Sequence, residues 1–147
     1  MVIGDARRRM NDALDRSTSV LILGSSREVR ALAADLSEEF DVTLVSDQPE
    51  IVSAAHADGV EAHEAALDSG TDLAALDLTA DAAVVTAVRD RTNLLVTQFL
   101  RTRGEVSRIV VRLNDPERED AFAELGVETI CPTEVLTPEI RATLEEA

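Results

Sequence analysis

The sequence contains no lysine, tryptophan or tyrosine, and it has one cysteine and two histidines in 147 residues. The lone cysteine, Cys131, excludes an internal disulfide and leaves few soft ligands for a zinc site or a Cys/His catalytic pair. No apolar run approaches the roughly 20 residues that cross a bilayer, and no apolar segment follows the arginines near the N-terminus. We therefore expect a cytoplasmic protein without direct membrane insertion, a metal site or catalytic residues.

Negative charge dominates the composition. The net charge is −15, and all 14 basic residues are arginine. An acidic excess of this kind is associated with halophiles, in which salt near 1 M screens charges over about 3 Å. Nucleic-acid binding needs a basic face, whereas the only cluster of basic residues is Arg7, Arg8 and Arg9. We expect a halophile-type protein that binds no nucleic acid.

Short strands rich in β-branched residues alternate with helical segments along the chain. At 147 residues and 45% hydrophobic content, the chain fits one globular domain. The predicted strands are Val20–Leu23, Val42–Val45, Val60–His63, Ala82–Thr86, Arg108–Arg112 and Val127–Ile130. This alternation predicts an α/β fold with a doubly wound, six-stranded, mainly parallel sheet that carries helices on both faces.

The starts of several helices are marked in the sequence. After the first strand, apolar residues between Val29 and Phe40 recur at helical spacing and predict one core-facing stripe. A capping side chain precedes a proline at Asp115-Pro116 and again at Thr137-Pro138. Because a proline lacks only an N–H that is unpaired in the first turn anyway, both pairs predict helix starts. The second start predicts a C-terminal helix over 138–146.

Two glycines mark predicted helix ends. Gly104 follows a helical segment at Thr92–Arg103, and Gly126 follows one at Pro116–Leu125. Both are expected to adopt the left-handed conformation of a C-terminal cap. Residues 65–79 are less periodic and predict a loop followed by one short helix. Residues 1–17 predict a separate N-terminal helical extension, with its helix over 5–16, and residues 18–147 form the domain.

The first strand and helix carry the most informative pattern. The segment TSVLILGSSREVRALAADLSEEF, residues 18–40, is a buried strand that turns at Gly24 into an amphipathic helix. A Rossmann dinucleotide-binding fold begins in this way, which makes a nucleotide the first ligand to consider. The full fingerprint has three glycines, but here Ser26 takes the place of the second and Val29 that of the third. The pattern therefore indicates the fold more firmly than the ligand.

Several local motifs resemble one protein family. They are LILGSSREV, VTLVSDQPE, ADAAVV, RTNLL, VVRLNDPE and ELGVETICPTE, and they run from about Ser19 to the C-terminus. Together they resemble the N-terminal domain of regulators of potassium conductance, the TrkA-type nucleotide-binding domain (TrkA-N, or RCK) of potassium transport systems. The resemblance implies a homodimeric Rossmann domain without enzymatic activity. It also implies binding of NAD(H) or of ATP, ADP or AMP, and transmission of that ligand state to a separate membrane channel or transporter subunit.

The resemblance also implies a phosphate-binding loop formed by Gly24, Ser25, Ser26 and Arg27. Arg27 matches an arginine that the family often has inside its glycine motif, and a guanidinium there can neutralise a diphosphate. The alternative is that Arg27 is a solvated residue on the first helical turn. Backbone N–H groups and the helix dipole already favour an anion at this position.

For the ribose, the resemblance implies Ser46 at the end of the second strand, where NAD-binding domains have an acid. Asp47 follows directly and either contacts the ribose or caps the helix around Pro49 and Glu50. No arginine lies nearby in the sequence to accommodate the 2′-phosphate of NADP, so the pattern favours NAD.

The remaining implied contacts lie after the third and fourth strands. A Gly-Asp-Ala stretch of the family aligns with His63, Glu64 and Ala65, so Glu64 is the candidate for the adenosine side and His63 is an ordinary loop histidine. Thr86 and Ala87 are expected to border the nucleotide. Asn93 is interpreted as organising the start of the next helix, and Arg112 and Asn114 as residues of the fold and of contacts between subunits.

Two functions remain open on these grounds. The first is a regulatory nucleotide-binding subunit linked to potassium transport. The second is a Rossmann-shaped dimerisation or adaptor module whose site is degenerate, because Ser26 adds bulk beside the pyrophosphate path and Val29 separates helix from strand. An NAD-dependent enzyme would need a substrate domain and a positioned acid or base. The second lobe that these regulators usually carry is expected to come from another protein or to be absent.

Overall fold

The computed structural model describes residues 18–146, and the predicted N-terminal helical extension lies outside the described residues. One six-stranded sheet forms its centre, with the strand order β3-β2-β1-β4-β5-β6 and parallel pairing throughout. The strands are β1 Ser19–Gly24, β2 Asp41–Ser46, β3 Glu61–Glu64, β4 Thr79–Thr86, β5 Glu105–Arg112 and β6 Glu128–Ile130. The predicted doubly wound α/β fold is confirmed.

Helices cover both faces of the sheet. They are α1 Val29–Leu36, α2 Pro49–Ala57, α3 Gly70–Ala74, α4 Asp90–Arg103, α5 Glu119–Ala123 and α6 Pro132–Glu145, with a 3-10 turn at Pro116–Arg118. Val29 of α1 and Ala55 of α2 pack in one apolar cluster with β1 and β2. Leu73, Leu100 and Phe122, from α3, α4 and α5, pack in a second cluster on the other face. Among residues 18–146, no helix is both long and apolar enough to cross a membrane.

The chain reverses direction across the sheet beside β1. From β1 it proceeds outward to β2 and β3, then returns so that β4 pairs with the opposite edge of β1. All four central residues of β1, Val20 to Leu23, are buried, as expected of a parallel strand covered on both faces. The loops that leave the carboxyl ends of β1 and β4 diverge to opposite faces. A crevice opens at such a topological switch point, and ligands of α/β proteins bind there.

Two predicted boundaries of the later helices are wrong. The last helix begins at Pro132 and contains Pro138 in its interior, so Thr137-Pro138 is not its start. Pro132 already provides a proline in the first turn, and the helix continues through Pro138 at the loss of one backbone hydrogen bond. Gly104 is extended, with φ −87° and ψ 163°, because β5 begins at the next residue and the chain needs no left-handed reversal.

Other boundary predictions are confirmed. Gly126 has a φ of +68°, the left-handed conformation expected after α5. The Asp115 carboxylate accepts a hydrogen bond of 3.0 Å from the Glu117 N–H, so the Asp115-Pro116 start is present, although its first turn is a 3-10 helix. The short helix expected within residues 65–79 is α3, which begins at Gly70 and is capped by the Ser69 hydroxyl.

The first turn of α4 holds two loops by hydrogen bonds from buried side chains. The Asn93 Oδ1 accepts from the Ala87 N–H at 2.7 Å, and its Nδ2 donates to the carbonyls of Ala87 and Arg112, both at 3.1 Å. The Asp90 carboxylate accepts from the backbone N–H groups of Asn114 and Asp115, both at 2.8 Å. These loops follow β4 and β5, so α4 fixes one wall of the crevice.

Exposed arginine–carboxylate pairs connect neighbouring elements. Arg30 of α1 lies 3.0 Å from Asp58, which follows α2, and Arg108 of β5 donates to Glu128 of β6 at 2.6 and 2.9 Å. The hydrogen bond from Arg30 lowers the pKa of Asp58, and that from Arg108 lowers the pKa of Glu128. Because these side chains are solvated, we assign the pairs a minor part in stability.

At Gly24 the backbone is too crowded for any side chain. A Cβ at this position would lie 2.6 Å from the Thr86 Cγ2, 2.8 Å from the Thr86 carbonyl oxygen and 2.9 Å from the Val29 Cγ2. Two of these neighbours belong to the adjacent strand and the third to the following helix. Glycine therefore permits β1, β4 and α1 to meet at the mouth of the crevice.

Replacing Gly24 by alanine is expected to lower the free energy of unfolding by about 1–3 kcal/mol, because the methyl group overpacks this junction. Urea unfolding followed by far-UV circular dichroism measures the change. Gly70→Ala is the matched control, since its Cβ would meet nothing closer than 3.7 Å. Equal stability of the two variants would contradict the assigned role of Gly24.

Replacing Asn93 by alanine is expected to lower the free energy of unfolding by at least about 2 kcal/mol, because it leaves buried backbone groups of the two loops without partners. The same urea titration measures this loss. Gln98→Ala alters an exposed residue of the same helix and should change stability by no more than about 0.5 kcal/mol. A loss no greater than that of the control would show that the Asn93 hydrogen bonds do not hold the wall.

Candidate functional site

The candidate site is a crevice at the carboxyl ends of β1, β2 and β4. A cavity of about 360 Å³ opens there, and the loops after β1, β2, β3 and β4 each contribute to its lining. The lining residues are Ser25, Asp47, Gln48, Leu67, Asp68, Ala87, Val88, Arg89 and Thr92. A larger cavity of about 600 Å³ lies between α3 and α4 and is mainly apolar. We assign the site to the crevice because the predicted phosphate loop lies there.

The loop from Gly24 to Arg27 is fastened to the end of β4. The Ser25 N–H donates to the Thr86 carbonyl, and the Val88 N–H donates to the Ser25 hydroxyl, both at 3.4 Å. Ser26 is buried, and its hydroxyl lies 3.4 Å from the Thr86 hydroxyl. The Ser26 side chain thus occupies the space between the loop and β4. A glycine at this position, the second of the fingerprint, would leave that space empty.

Arg27, at the end of this loop, and Val29, at the start of α1, differ in burial. Arg27 is exposed two residues before α1, so its guanidinium can turn toward a ligand or toward solvent. Val29 is fully buried and packs with Ile22 and Ala33 in the cluster between α1 and the sheet. At the third glycine position the side chain therefore belongs to the core.

The two ribose candidates differ in their surroundings. Ser46 is completely buried, and its hydroxyl accepts a hydrogen bond of 3.2 Å from the Gln48 N–H. Asp47 is exposed and lines the crevice. The residue at the N-cap position of α2 is Gln48, and its side chain makes no capping hydrogen bond. The alternative that Asp47 caps this helix is therefore wrong. The Asp47 carboxylate accepts a long hydrogen bond of 3.4 Å from the Gln48 side chain and is exposed at the crevice, whereas Ser46 is shielded by its burial.

Glu64 lies at the exposed end of β3, opposite Ser46 in the strand register. It lies outside the set of residues that line the crevice. His63, its neighbour, is exposed and lies 3.3 Å from Glu61 on the same strand. The loop after β3 reaches the crevice through Leu67 and Asp68 instead. The structure thus brings Asp68 nearer to the crevice than the residue that the sequence indicated.

Thr86 and Ala87 are both buried at the end of β4, and Ala87 lines the crevice. Asn93 engages both backbone polar groups of Ala87, so Ala87 presents mainly its methyl group to the cavity. The interpretation of Asn93 as the organiser of its helix start is confirmed. Asn114 also has a role in the fold, because its side chain donates to the Asp90 carboxylate at 3.0 Å.

Charges around the crevice are divided between its two ends. Asp47 and Asp68 lie on the side of β2 and β3, while Arg89 lies on the side of β4. The N-terminus of α1 adds partial positive charge next to the loop, where a phosphate group is favoured. This arrangement can hold an anion near α1 and a hydroxyl-bearing group near Asp47. Within residues 18–146, no three His, Cys, Asp or Glu side chains are grouped so as to hold a metal ion.

Sequence reasoning missed six residues that line the crevice, namely Gln48, Leu67, Asp68, Val88, Arg89 and Thr92. Each lies within six residues of a strand end, and this position was the available signal. It also missed Glu28, which forms an ion pair with Arg112. No pattern in the sequence relates these two residues, because they meet only after β1, β4 and β5 are aligned.

Comparisons with known proteins agree with this architecture. The model of the TrkA-N domain family matches residues 20–133. The NAD(P)-binding domain of an exopolyphosphatase-related protein from Archaeoglobus fulgidus is 20% identical, with a TM-score of 0.75, and the match covers 89% of this chain and 100% of that chain. Among curated proteins, no sequence matches at a significant level.

Two further solved structures share the fold over part of a larger protein. The GsuK channel bound to NAD is 18% identical, with a TM-score of 0.64, and the match covers 79% of this chain and 22% of that chain. Saccharopine dehydrogenase from Saccharomyces cerevisiae is 18% identical, with a TM-score of 0.53, and the match covers 78% of this chain and 27% of that chain. These likenesses show the fold alone. The family model extends over most of the chain, and the chain therefore belongs to the TrkA-N domain family.

Proposed function

We propose that this chain is a cytoplasmic regulatory domain that binds NAD(H) or an adenine nucleotide and transmits its binding to a potassium transporter or channel subunit. The observation that carries this proposal is the loop from Gly24 to Arg27, which joins β1 to α1 at the topological switch point. Its attachment to Thr86 and Val88 holds it at the mouth of the crevice. The family, and the NAD in the GsuK channel structure, support a dinucleotide as the ligand class.

The residues around the crevice fit such a ligand in one direction. A diphosphate would lie at the N-terminus of α1, within reach of Arg27, where backbone N–H groups and the helix dipole favour an anion. The ribose hydroxyls would meet Asp47, which lines the crevice, since Ser46 is completely buried. A carboxylate at this position repels a 2′-phosphate, so we propose NAD(H) over NADP(H).

A degenerate site is the second candidate function, and the burial of Ser26 favours it. Its side chain fills the gap between the loop and Thr86, close to the path of a pyrophosphate. In that case the domain would be a dimerisation or adaptor module without a ligand. Under both functions we propose a regulatory role rather than a catalytic one.

The C-terminal helix supports the proposal of a homodimer. Leu136, Ile140 and Leu144 recur every four residues on one side of α6 and are 55%, 54% and 70% exposed. None of the side chains of this helix is buried against the rest of the described chain. An amphipathic helix gains stability by burying its apolar stripe, and a second copy of the domain can supply the partner surface.

Nucleotide binding is expected to raise the thermal unfolding midpoint in molar KCl. A ligand that binds only the folded state stabilises it by about 2.7 kcal/mol at 100 times its dissociation constant. Far-UV circular dichroism follows the transition with NAD, NADH, NADP, NADPH, ATP, ADP or AMP added one at a time. NAD or NADH should act at lower concentration than NADP or NADPH, because of Asp47.

Ser26→Gly is expected to tighten nucleotide binding several-fold by opening the pyrophosphate path. Ser37→Gly, the same substitution at the other end of α1, should leave the binding affinity unchanged. A folded protein whose unfolding midpoint no nucleotide shifts, as wild type or as Ser26→Gly, would favour the adaptor module and refute the regulatory nucleotide site.

The homodimer is tested by light scattering coupled to size-exclusion chromatography. The wild-type chain should elute at twice its monomer mass, and Leu136→Glu combined with Ile140→Glu should give monomers, because two charges enter the apolar stripe. Ala142→Glu adds a charge on the opposite side of α6 and should preserve the dimer. Wild-type monomers at high concentration, or dimers of the double variant, would contradict an interface formed by this stripe.

A further inference from the structure

An ion pair connects the start of α1 with the end of β5, two elements that are not adjacent, and neither of its residues belongs to the set that lines the crevice. The carboxylate of Glu28, the residue that precedes α1, pairs with the guanidinium of Arg112, the last residue of β5. The end of β4 separates them, since Gly24 aligns with Thr86 in the sheet and Val85 with Val111. Glu28 thereby brings a negative charge to the N-terminal end of α1.

The Arg112 side chain is only partly satisfied by this pair. Its Nε is buried and has no hydrogen-bond partner within the part of the chain that the structure describes. An arginine presents five N–H donors in a planar fork, and a phosphate group can accept two of them at once. The Glu28 side chain is 52% exposed, compared with 28% for Arg112. The carboxylate is therefore the more exposed partner, and water can solvate it when it leaves the guanidinium.

Glu28 and a nucleotide phosphate require the same surroundings. Both are anions that are stabilised at the N-terminus of a helix, and both can pair with a guanidinium. Two negative charges within a few ångströms of one another repel, so the carboxylate and the phosphate cannot both occupy this position and both pair with Arg112. The loop that the proposed function assigns to the phosphate begins four residues before Glu28.

We infer that Glu28 is an intramolecular competitor for the phosphate of the ligand, a conclusion that rests on the proposed nucleotide site. In the free protein Glu28 neutralises Arg112 and shields the start of α1. A nucleotide phosphate displaces the carboxylate, takes Arg112 as its partner and releases Glu28 to solvent. The exchange lowers the affinity for nucleotide and makes the movement of Glu28 a direct consequence of binding.

Glu28→Gln tests this exchange, because it removes the charge and keeps the shape of the side chain. We expect it to tighten binding of AMP and NAD about tenfold, within the usual range of coupling between two binding events. Adenosine, which has no phosphate, should bind equally to both proteins. Isothermal titration calorimetry in KCl measures the affinities. Glu38→Gln, just beyond the other end of α1, removes the same charge away from the crevice and should leave them unchanged.

Arg112→Gln provides the second arm. It should weaken AMP binding about tenfold or more, as expected for the loss of a hydrogen-bonded charge. In the Arg112→Gln background, the gain from Glu28→Gln should shrink, because the arginine that it releases is no longer present. Far-UV circular dichroism establishes that each variant is folded. If Arg112→Gln does not fold, the Glu28→Gln titration alone decides.

The outcomes separate this inference from the proposed function. Tighter binding by Glu28→Gln supports the inference, also where the wild type binds too weakly to measure. Wild-type binding that Glu28→Gln leaves unchanged or weakens overturns the inference and preserves the nucleotide site. If neither the wild type nor Glu28→Gln binds any phosphate-bearing nucleotide, both the inference and the proposed nucleotide site fail.

Discussion

The close approach of β1, β4 and α1 at Gly24 is the constraint on which the rest of the domain depends. A side chain there would collide with Thr86 on the neighbouring strand and with Val29 on the following helix. In the sheet, β2 and β3 lie on one side of β1, and β4, β5 and β6 lie on the other. The junction at Gly24 therefore sets where these two halves of the sheet meet. The crevice exists because the chain leaves that junction toward opposite faces.

Two kinds of polar contact surround the crevice, and they differ in how easily they can change. Asn93 and Asp90 are buried and hold the backbone of the loops after β4 and β5, so their hydrogen bonds cannot be exchanged for water without cost. Glu28 is half exposed. In the exchange that we propose, another anion replaces its carboxylate beside the guanidinium of Arg112. A fixed wall beside a displaceable pair is an arrangement suited to sensing a charged ligand. It also gives an acidic chain a cation beside the proposed phosphate loop.

The sequence predicted much of the fold because the signals that define it are local. Apolar periodicity located the strands and helices, and the glycine after the first strand located the turn into α1. The errors occurred where two local signals competed. Pro132 and Pro138 both fit the first turn of a helix, and the earlier one begins α6. Gly104 follows a helix, as a cap does, but the adjoining strand requires an extended backbone.

The candidate site divides in the same manner. The sequence by itself determined the fold class, the family and the position of the loop from Gly24 to Arg27, since each rests on local patterns that can be recognised segment by segment along the chain. Only the tertiary structure decided that Asp47 rather than Ser46 faces the crevice, and that Glu28 meets Arg112. Burial depends on what packs against a side chain, and contact between distant residues depends on strand order. Neither follows from a local sequence pattern, because both are set only when the sheet forms.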